Sequence, residues 1–193
     1  MRLADDLRLE GERVYAVPFA ERHLNDPAYL FWLRDYEVIR SMNLPSYWEP
    51  VAFETIKRYV EGQIASPTDQ FFALYEKASE SFIGTLRAAY IDWRTRETSL
   101  GILIGPREMW GRGLGSDAIR MLCRYLFDQV GLRRIEAGLM GSNRGMLKVF
   151  ERCGFKLEGR LRNKDLTREG EYVDHLYLGL FRDEFGAVLT AQR

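Results

Sequence analysis

The sequence predicts a single domain of mixed α/β (α+β) class, a mostly antiparallel central sheet flanked by helices. Three observations predict it. Residues 70–104 read as three strands joined by short turns, which antiparallel neighbours allow and parallel ones do not. Residues 97–140 then run strand, glycine loop, helix, strand, a crossover that makes its two strands parallel. Apolar residues at helical spacing fill segments before and after the meander.

Composition fits one folded unit over residues 1–193. Hydrophobic residues make up 46% and charged residues 29% of the 193 positions, enough for a sizeable core in a water-facing protein. The 28 basic and 28 acidic residues cancel, which argues against a nucleic-acid tail or a polybasic membrane anchor. The N-terminal MRLADDLRLEGERVY lacks the apolar core of a signal peptide, and no run approaches the roughly 18 apolar residues of a membrane span. A cytoplasmic protein is expected. Cys123 and Cys153 both fall in amphipathic helical patterns, at a spacing that suggests neither zinc nor a disulfide framework. Buried free thiols and no metal are expected.

The elements follow in order. Residues 12–19 (ERVYAVPF) carry β-branched and aromatic side chains and read as a first strand. Asp26 and Pro27 provide an N-cap and first-turn proline for a short helix over AYLFWLRD. Pro50 opens a second, whose Phe53, Ile56, Val60 and Ile64 form one stripe. The meander comprises residues 70–76, 82–93 and 97–104, ending at Gly105-Pro106. After the glycine loop, Leu114, Ala118, Leu122, Tyr125 or Leu126, and Val130 trace one helix face. Residues 133–140 read as a strand, and Asn143 caps a helix, RGMLKVFERC, that stops at Gly154 with Phe155 as the usual hydrophobic contact. Residues 156–161 and 172–181 close the chain as a hairpin.

The loop itself, WGRGLGSDA, places Gly111, Gly113 and Gly115 immediately before the helix. A helix start carries unpaired N–H groups and partial positive charge, and glycines let an anion approach them. The loop lacks the Lys-Ser/Thr ending of a P-loop and the spacing of a dinucleotide fingerprint. A plain tight turn stays open on these residues alone. Arg107, Arg112 and Arg120 lie in or beside the loop and could meet phosphate oxygens. The strand SLGILIG before it contains a glycine, a mark of close backbone approach. A parallel pair splayed between the two capped helices would expose main-chain groups to which an amide-bearing cofactor arm could add as a strand.

WGRGLGSDA resembles the Q/R-x-x-G-x-G/A acetyl-coenzyme A loop of the GNAT superfamily of N-acetyltransferases, and NRGMLKVFERCGF resembles that superfamily's N-x-x-(A/S)…Y-E-K-x-G-F segment. The run RRIEAGLMGSNRGMLKVFERCGFKLEGRLR with GEYVDHLYLGL, and the earlier PFAERHLNDPAYLFWLRDYEVIRSM, are most similar to the branch containing ribosomal-protein N-terminal acetyltransferases. The resemblance spans nearly the whole chain. It implies a GNAT-type sheet with a splayed parallel pair and acetyl-CoA as acetyl donor. It further implies that N–H groups of Arg112, Gly113, Leu114, Gly115 and Ser116 cradle the pyrophosphate. Main-chain groups of Ile102, Leu103 and Ile104 would pair with the pantetheine amides, and Asn143 would reach the same arm. For Asn143 a helix cap serves equally well, and both roles are compatible. Lys148 and Arg152, one turn apart, read as a solvated face or as phosphate contacts.

The chain departs from the family pattern at three places. The tyrosine that often protonates the leaving thiolate is matched by Phe150, which has no proton to give. Glutamate before the L-G of the third meander strand is matched by Ser99, and another base position by Gly138. Because an alkylammonium with a pKa near ~10 must lose a proton before it attacks, a base is still needed, unless proximity and bulk water suffice. Strand alternation offers Glu97, beside Ser99, and Glu136, on the face of Gly138. The alternatives are a strand-end charge for Glu97 and an arginine partner for Glu136. His175 is the one histidine near the substrate side, either structural or catalytic.

The expected activity is direct acetyl transfer to a primary amine, on a protein N-terminus or a small molecule such as an amino-sugar nucleotide. Neither cysteine is placed to carry an acyl group. SMNLPSYWEP is expected to line the acceptor side. The alternative is a non-catalytic acyl-CoA-binding regulatory or sensor domain, motivated by Phe150, Ser99 and Gly138. A homodimer is left open.

Overall fold

The computed structural model describes residues 3, 4, 6–40, 42 and 51–191. Eight strands form one sheet: β1 (Leu9–Glu10), β2 (Val14–Pro18), β3 (Gln70–Glu76), β4 (Ser81–Asp92), β5 (Glu97–Ile104), β6 (Arg134–Met140), β7 (Lys156–Leu166) and β8 (Tyr172–Phe181). Their order is β1-β2-β3-β4-β5-β6-β8-β7, and every neighbouring pair is antiparallel except β5 with β6. Among the described residues the helices are α1 (Glu21–Leu24), α2 (Pro27–Trp32), α3 (Tyr36–Ile39), α4 (Phe53–Ala65), α5 (Leu114–Asp128), α6 (Arg144–Arg152) and α7 (Arg182–Ala191). The mixed sheet, its one parallel pair and the flanking helices match the class expected from the sequence.

Two cores lie on opposite faces of the sheet. Phe71, Ala73 and Leu103 pack with Leu24, Tyr29, Trp32, Ile39, Ile56 and Val60 of α1–α4. Phe72, Leu74, Leu86, Leu100 and Ile135 pack with the apolar side of α5 and with Phe150 of α6. Strand β3 serves both, so QFFALYE is an almost continuous apolar run rather than an alternating one. Of the stripe its spacing predicts, Leu114, Ala118, Leu122, Tyr125 and Leu126 are buried on α5, whereas Val130 lies past the helix end at Asp128 and is half-buried. At about 1.5–3 kcal/mol per large side chain, this burial outweighs intrinsic propensity in holding the helix.

Four departures have local causes. The expected helix over AYLFWLRD ends at Trp32 as α2, and a separate short helix, α3, follows at Tyr36, where Asp35 accepts the N–H of Glu37 at 3.0 Å and starts it. Asp26 caps α2 as expected, accepting from Ala28 at 2.9 Å. Strand β7 runs on to Leu166, past the expected end at Leu161. Its register shifts between Leu161 and Asp165, and Asn163 takes φ 51°, a bulge that absorbs the polar RNKD and lets the strand resume. Strand β1 and helices α1 and α7 carry too few residues, or too weak a period, to stand out in the sequence. Helix α4 starts at Phe53 rather than directly after Pro50, with Ala52 extended at ψ 146° as its N-cap; Pro50 itself lies outside the described residues.

Candidate active site

Strands β5 and β6 pair at Glu97↔Arg134, Thr98↔Ile135 and Ser99↔Glu136, and no further. Beyond that point Leu100 to Ile104 stay on β4, while Ala137 to Met140 stay on β8. The two strands therefore diverge into a wedge, and the main-chain groups facing it have no ladder partner there. One is already used: the indole Nε1 of Trp110 donates to the carbonyl of Ile104 at 2.8 Å.

At the wide end of the wedge stands the start of α5. Its N-cap, Gly113, has φ 82° and ψ −2°, and Gly111 has φ 72°, a left-handed conformation that side chains disfavour. The N–H groups of Leu114, Gly115 and Ser116 in the first turn have no intrahelical acceptor. A Cβ on Gly115 would sit 3.6 Å from Cδ1 of Ile104 and 3.9 Å from Cγ1 of Val149. Glycine there keeps open the space between the end of β5 and α6. A donor with a diphosphate and an amide-bearing arm fits this combination: a helix start for the anion, an open strand edge for the amides. Arg107 instead meets Asp35 at 3.5 Å, and Arg112 meets Glu76 at 2.8 Å. Asn143 caps α6, its Oδ1 accepting from the N–H of Met146 at 3.0 Å. Lys148 and Arg152 are exposed on α6.

At the narrow end, three carboxylates converge on one guanidinium. Arg134 Nη1 lies 3.4 Å from Glu97 and 3.2 Å from Glu136, and its Nη2 donates to Glu158. Arg133 adds a longer contact to Glu97, 3.7 Å. Burial works against the charge on Arg134, but hydrogen bonds to Glu158 and Glu136 overcome it and leave the group more firmly protonated than usual. Of the two carboxylates singled out in the sequence, Glu136 lies at the wedge vertex and Glu97 two residues behind it, and both are held by Arg134.

The same face carries a pair that sequence reasoning did not assemble. His175 Nδ1 stands 2.7 Å from Oδ2 of Asp165, whose side chain is 2% exposed. The imidazole edge faces β6, where a Cβ on Gly138 would fall 2.8 Å from Nε2. Asp165 owes its place to the β7 bulge, a feature no local pattern announces. Farther along this face, Arg87 opposes Gly101 and is held by Asp69 at 2.7 Å, near the rings of Tyr59 and Tyr90. Most of SMNLPSYWEP, expected to line this side, lies outside the described residues.

Other groups are excluded from proton or acyl chemistry by their surroundings. Phe150 is buried against Phe155, ring centroids 5.0 Å apart. Cys123 and Cys153 are buried free thiols. Burial pushes Cys153 up to about 11 and Cys123 well above the usual thiol range, so neither supplies a thiolate near neutral pH. Among the described residues no helix is long and apolar enough to cross a membrane, and no cluster of three metal-ligating side chains occurs.

The sheet splays beside a helix that starts on glycine, an arrangement with room for an acyl donor that carries a diphosphate and an amide-bearing arm. Comparison with known proteins is specific: residues 13–156 match the acetyltransferase (GNAT) domain, and the chain belongs to that family. It is therefore an N-acetyltransferase, and its donor is acetyl-CoA. The uncharacterized N-acetyltransferase p20 of Bacillus licheniformis is 26% identical over 155 residues, covering 80% of this chain and 85% of that one. The spermidine N(1)-acetyltransferase of Vibrio cholerae is 28% identical over 135 residues, 68% and 76% of the two chains. In fold, RimJ of Mycobacterium smegmatis, solved with a coenzyme A disulfide, superposes with a TM-score of 0.79 at 18% identity, over 96% of this chain and 94% of that one.

Proposed function

We propose that this enzyme transfers acetyl directly from acetyl-CoA to a primary amine, either a small polyamine-like molecule, an amino-sugar nucleotide or a protein N-terminus. The observation that carries the reading is the end of β5–β6 pairing at Ser99↔Glu136, with the start of α5 at the mouth of the resulting wedge. N–H groups of residues 112–116 hold the diphosphate. Main-chain groups of Ile102 and the N–H of Ile104 hold the arm, with Asn143 on the far wall; Leu103, expected to join them, turns its main chain to Thr85 of β4 instead, because alternate residues of β5 face opposite neighbours. The thioester then lies near the vertex, where the open edge of β5 supplies donors for a developing oxyanion. Carboxylates outnumber guanidinium groups around Arg134, which favours a cationic acceptor. Two buried, protonated cysteines support direct transfer over an acyl-enzyme.

The test is thiol release from acetyl-CoA over a panel of spermidine, spermine, an amino-sugar nucleotide and peptides with free N-termini. Turnover of at least one amine is expected, together with a rise in melting temperature on adding coenzyme A. Coenzyme A binding without turnover on any amine would overturn the reading in favour of an acyl-CoA sensor, for which Phe150, Ser99 and Gly138 speak. No thermal shift at saturating coenzyme A would remove the donor site itself.

A further inference from the structure

We infer that His175, oriented by Asp165, is the group that takes the proton from the acceptor amine; this rests on the transferase reading just given. Three observations converge. Nε2 of His175 lies against Gly138, two residues beyond Glu136, the last β6 residue paired with β5, and so stands beside the wedge vertex. Register puts His175, Gly138, Glu136 and Ser99 on one face of the sheet, opposite the face that carries α5. Lastly, Glu97 and Glu136 point their carboxylates at Arg134, whereas Nε2 of His175 has no hydrogen bond among the described residues.

The tautomer follows from the partner. With Asp165 accepting at Nδ1, neutral imidazole carries its proton there and its lone pair on Nε2. Among the described residues, Asp165 from β7, Tyr177 from β8 with ring centroids 4.8 Å away, and Gly138 from β6 pack on the ring. A Cβ at 138 would fall 2.8 Å from Nε2, too close for the ring to keep its place. The glycine found where the family pattern offers a base is thus the space through which a base on the next strand reaches the site.

The step balances. One ammonium proton passes to Nε2, and the freed nitrogen lone pair forms the C–N bond to the acetyl carbonyl carbon. The C–S bond breaks with its electron pair going to sulfur, and the second nitrogen proton ends on that sulfur as thiol. The imidazolium, stabilised by Asp165, returns its proton to solvent.

The experiment compares kcat/KM for the best amine of the panel in wild type, His175→Gln, Asp165→Asn and Gly138→Ala, from pH 6.5 to 10. His175→Gln is expected to lose about 10²-fold or more near pH 7, with the coenzyme A thermal shift unchanged. The deficit should shrink as pH nears the amine's own pKa of ~10, because water then delivers the free base. Gly138→Ala, which displaces the ring, and Asp165→Asn should show smaller losses with the same pH trend. A His175→Gln enzyme as fast as wild type at pH 7, or a deficit constant across pH, overturns the dyad and leaves the transferase reading intact. Failure of the wild type on every amine overturns the transferase reading instead.

Discussion

Asp117, in the first turn of α5, accepts the main-chain N–H of Arg13 at 2.7 Å, while the Arg13 guanidinium donates to the carbonyl of Arg112. The glycine loop is thereby gripped from both ends by the turn between β1 and β2. Asp117 is 4% exposed and also accepts from Glu12 and Val14, at 3.1 Å each. Asp117→Ala strands these donors and should cost about 3 kcal/mol, a fall of roughly 6–12 °C in melting temperature. Asp117→Asn, which keeps one acceptor oxygen, should recover part of that. Thermal denaturation of the two variants checks this, and an unchanged Asp117→Ala would refute the grip.

The loop glycines should separate by role. Gly113→Ala forces a side chain to φ 82°, and about 1–2 kcal/mol of stability should go with it. Gly115 has no such backbone demand, and its substituent would enter the space between Ile104 and Val149. Gly115→Leu should therefore leave the fold nearly intact and abolish stabilisation by coenzyme A. Melting curves with and without coenzyme A read both effects.

Arg134→Met leaves Glu97, Glu136 and Glu158 facing one another with Arg133 as their nearest relief. The site is partly open to water, so a loss of about 1–2 kcal/mol is expected rather than the full cost of breaking a buried pair. Added salt should restore part of it by screening the carboxylates. Urea denaturation at two ionic strengths provides the comparison.

His23 gives a pH dependence of known sign. It is buried among Phe19, Tyr75 and Phe82, and burial, helped by the charge of Arg22, lowers its pKa from 6.5 to about 4. The unfolded chain takes up a proton below pH 6.5 that the folded chain refuses until about pH 4. Stability is thus fully present above 6.5 and falls between 6.5 and 4. His23→Asn should flatten that part of the stability profile, measured by chemical denaturation at stepped pH.

Sequence patterns expose what repeats locally. The α5 stripe, the Asp26 cap and the Asn143 cap were legible because each is a regular spacing or a single residue before a helix. The parallel direction of β5 and β6 was legible from the crossover, but their splay was expected only from the family resemblance, since capped helices do not by themselves part a strand pair. The environment of Glu97 and Glu136 was not, because Arg134 draws in Glu158 from another strand, a fact of register rather than spacing. Asp165 and His175 are ten residues apart on strands whose alignment depends on a bulge at Asn163, and no periodicity encodes that.

On the proposed reading, with the donor at the start of α5 and the amine on the His175 face, the slit between β5 and β6 gives each reactant its own doorway. Neither needs to wait for the other to leave. Initial velocities should give intersecting lines, and an unreactive amine analogue should not compete with acetyl-CoA. The gap left where two strands part is, in this sense, what lets one protein hold both partners at once.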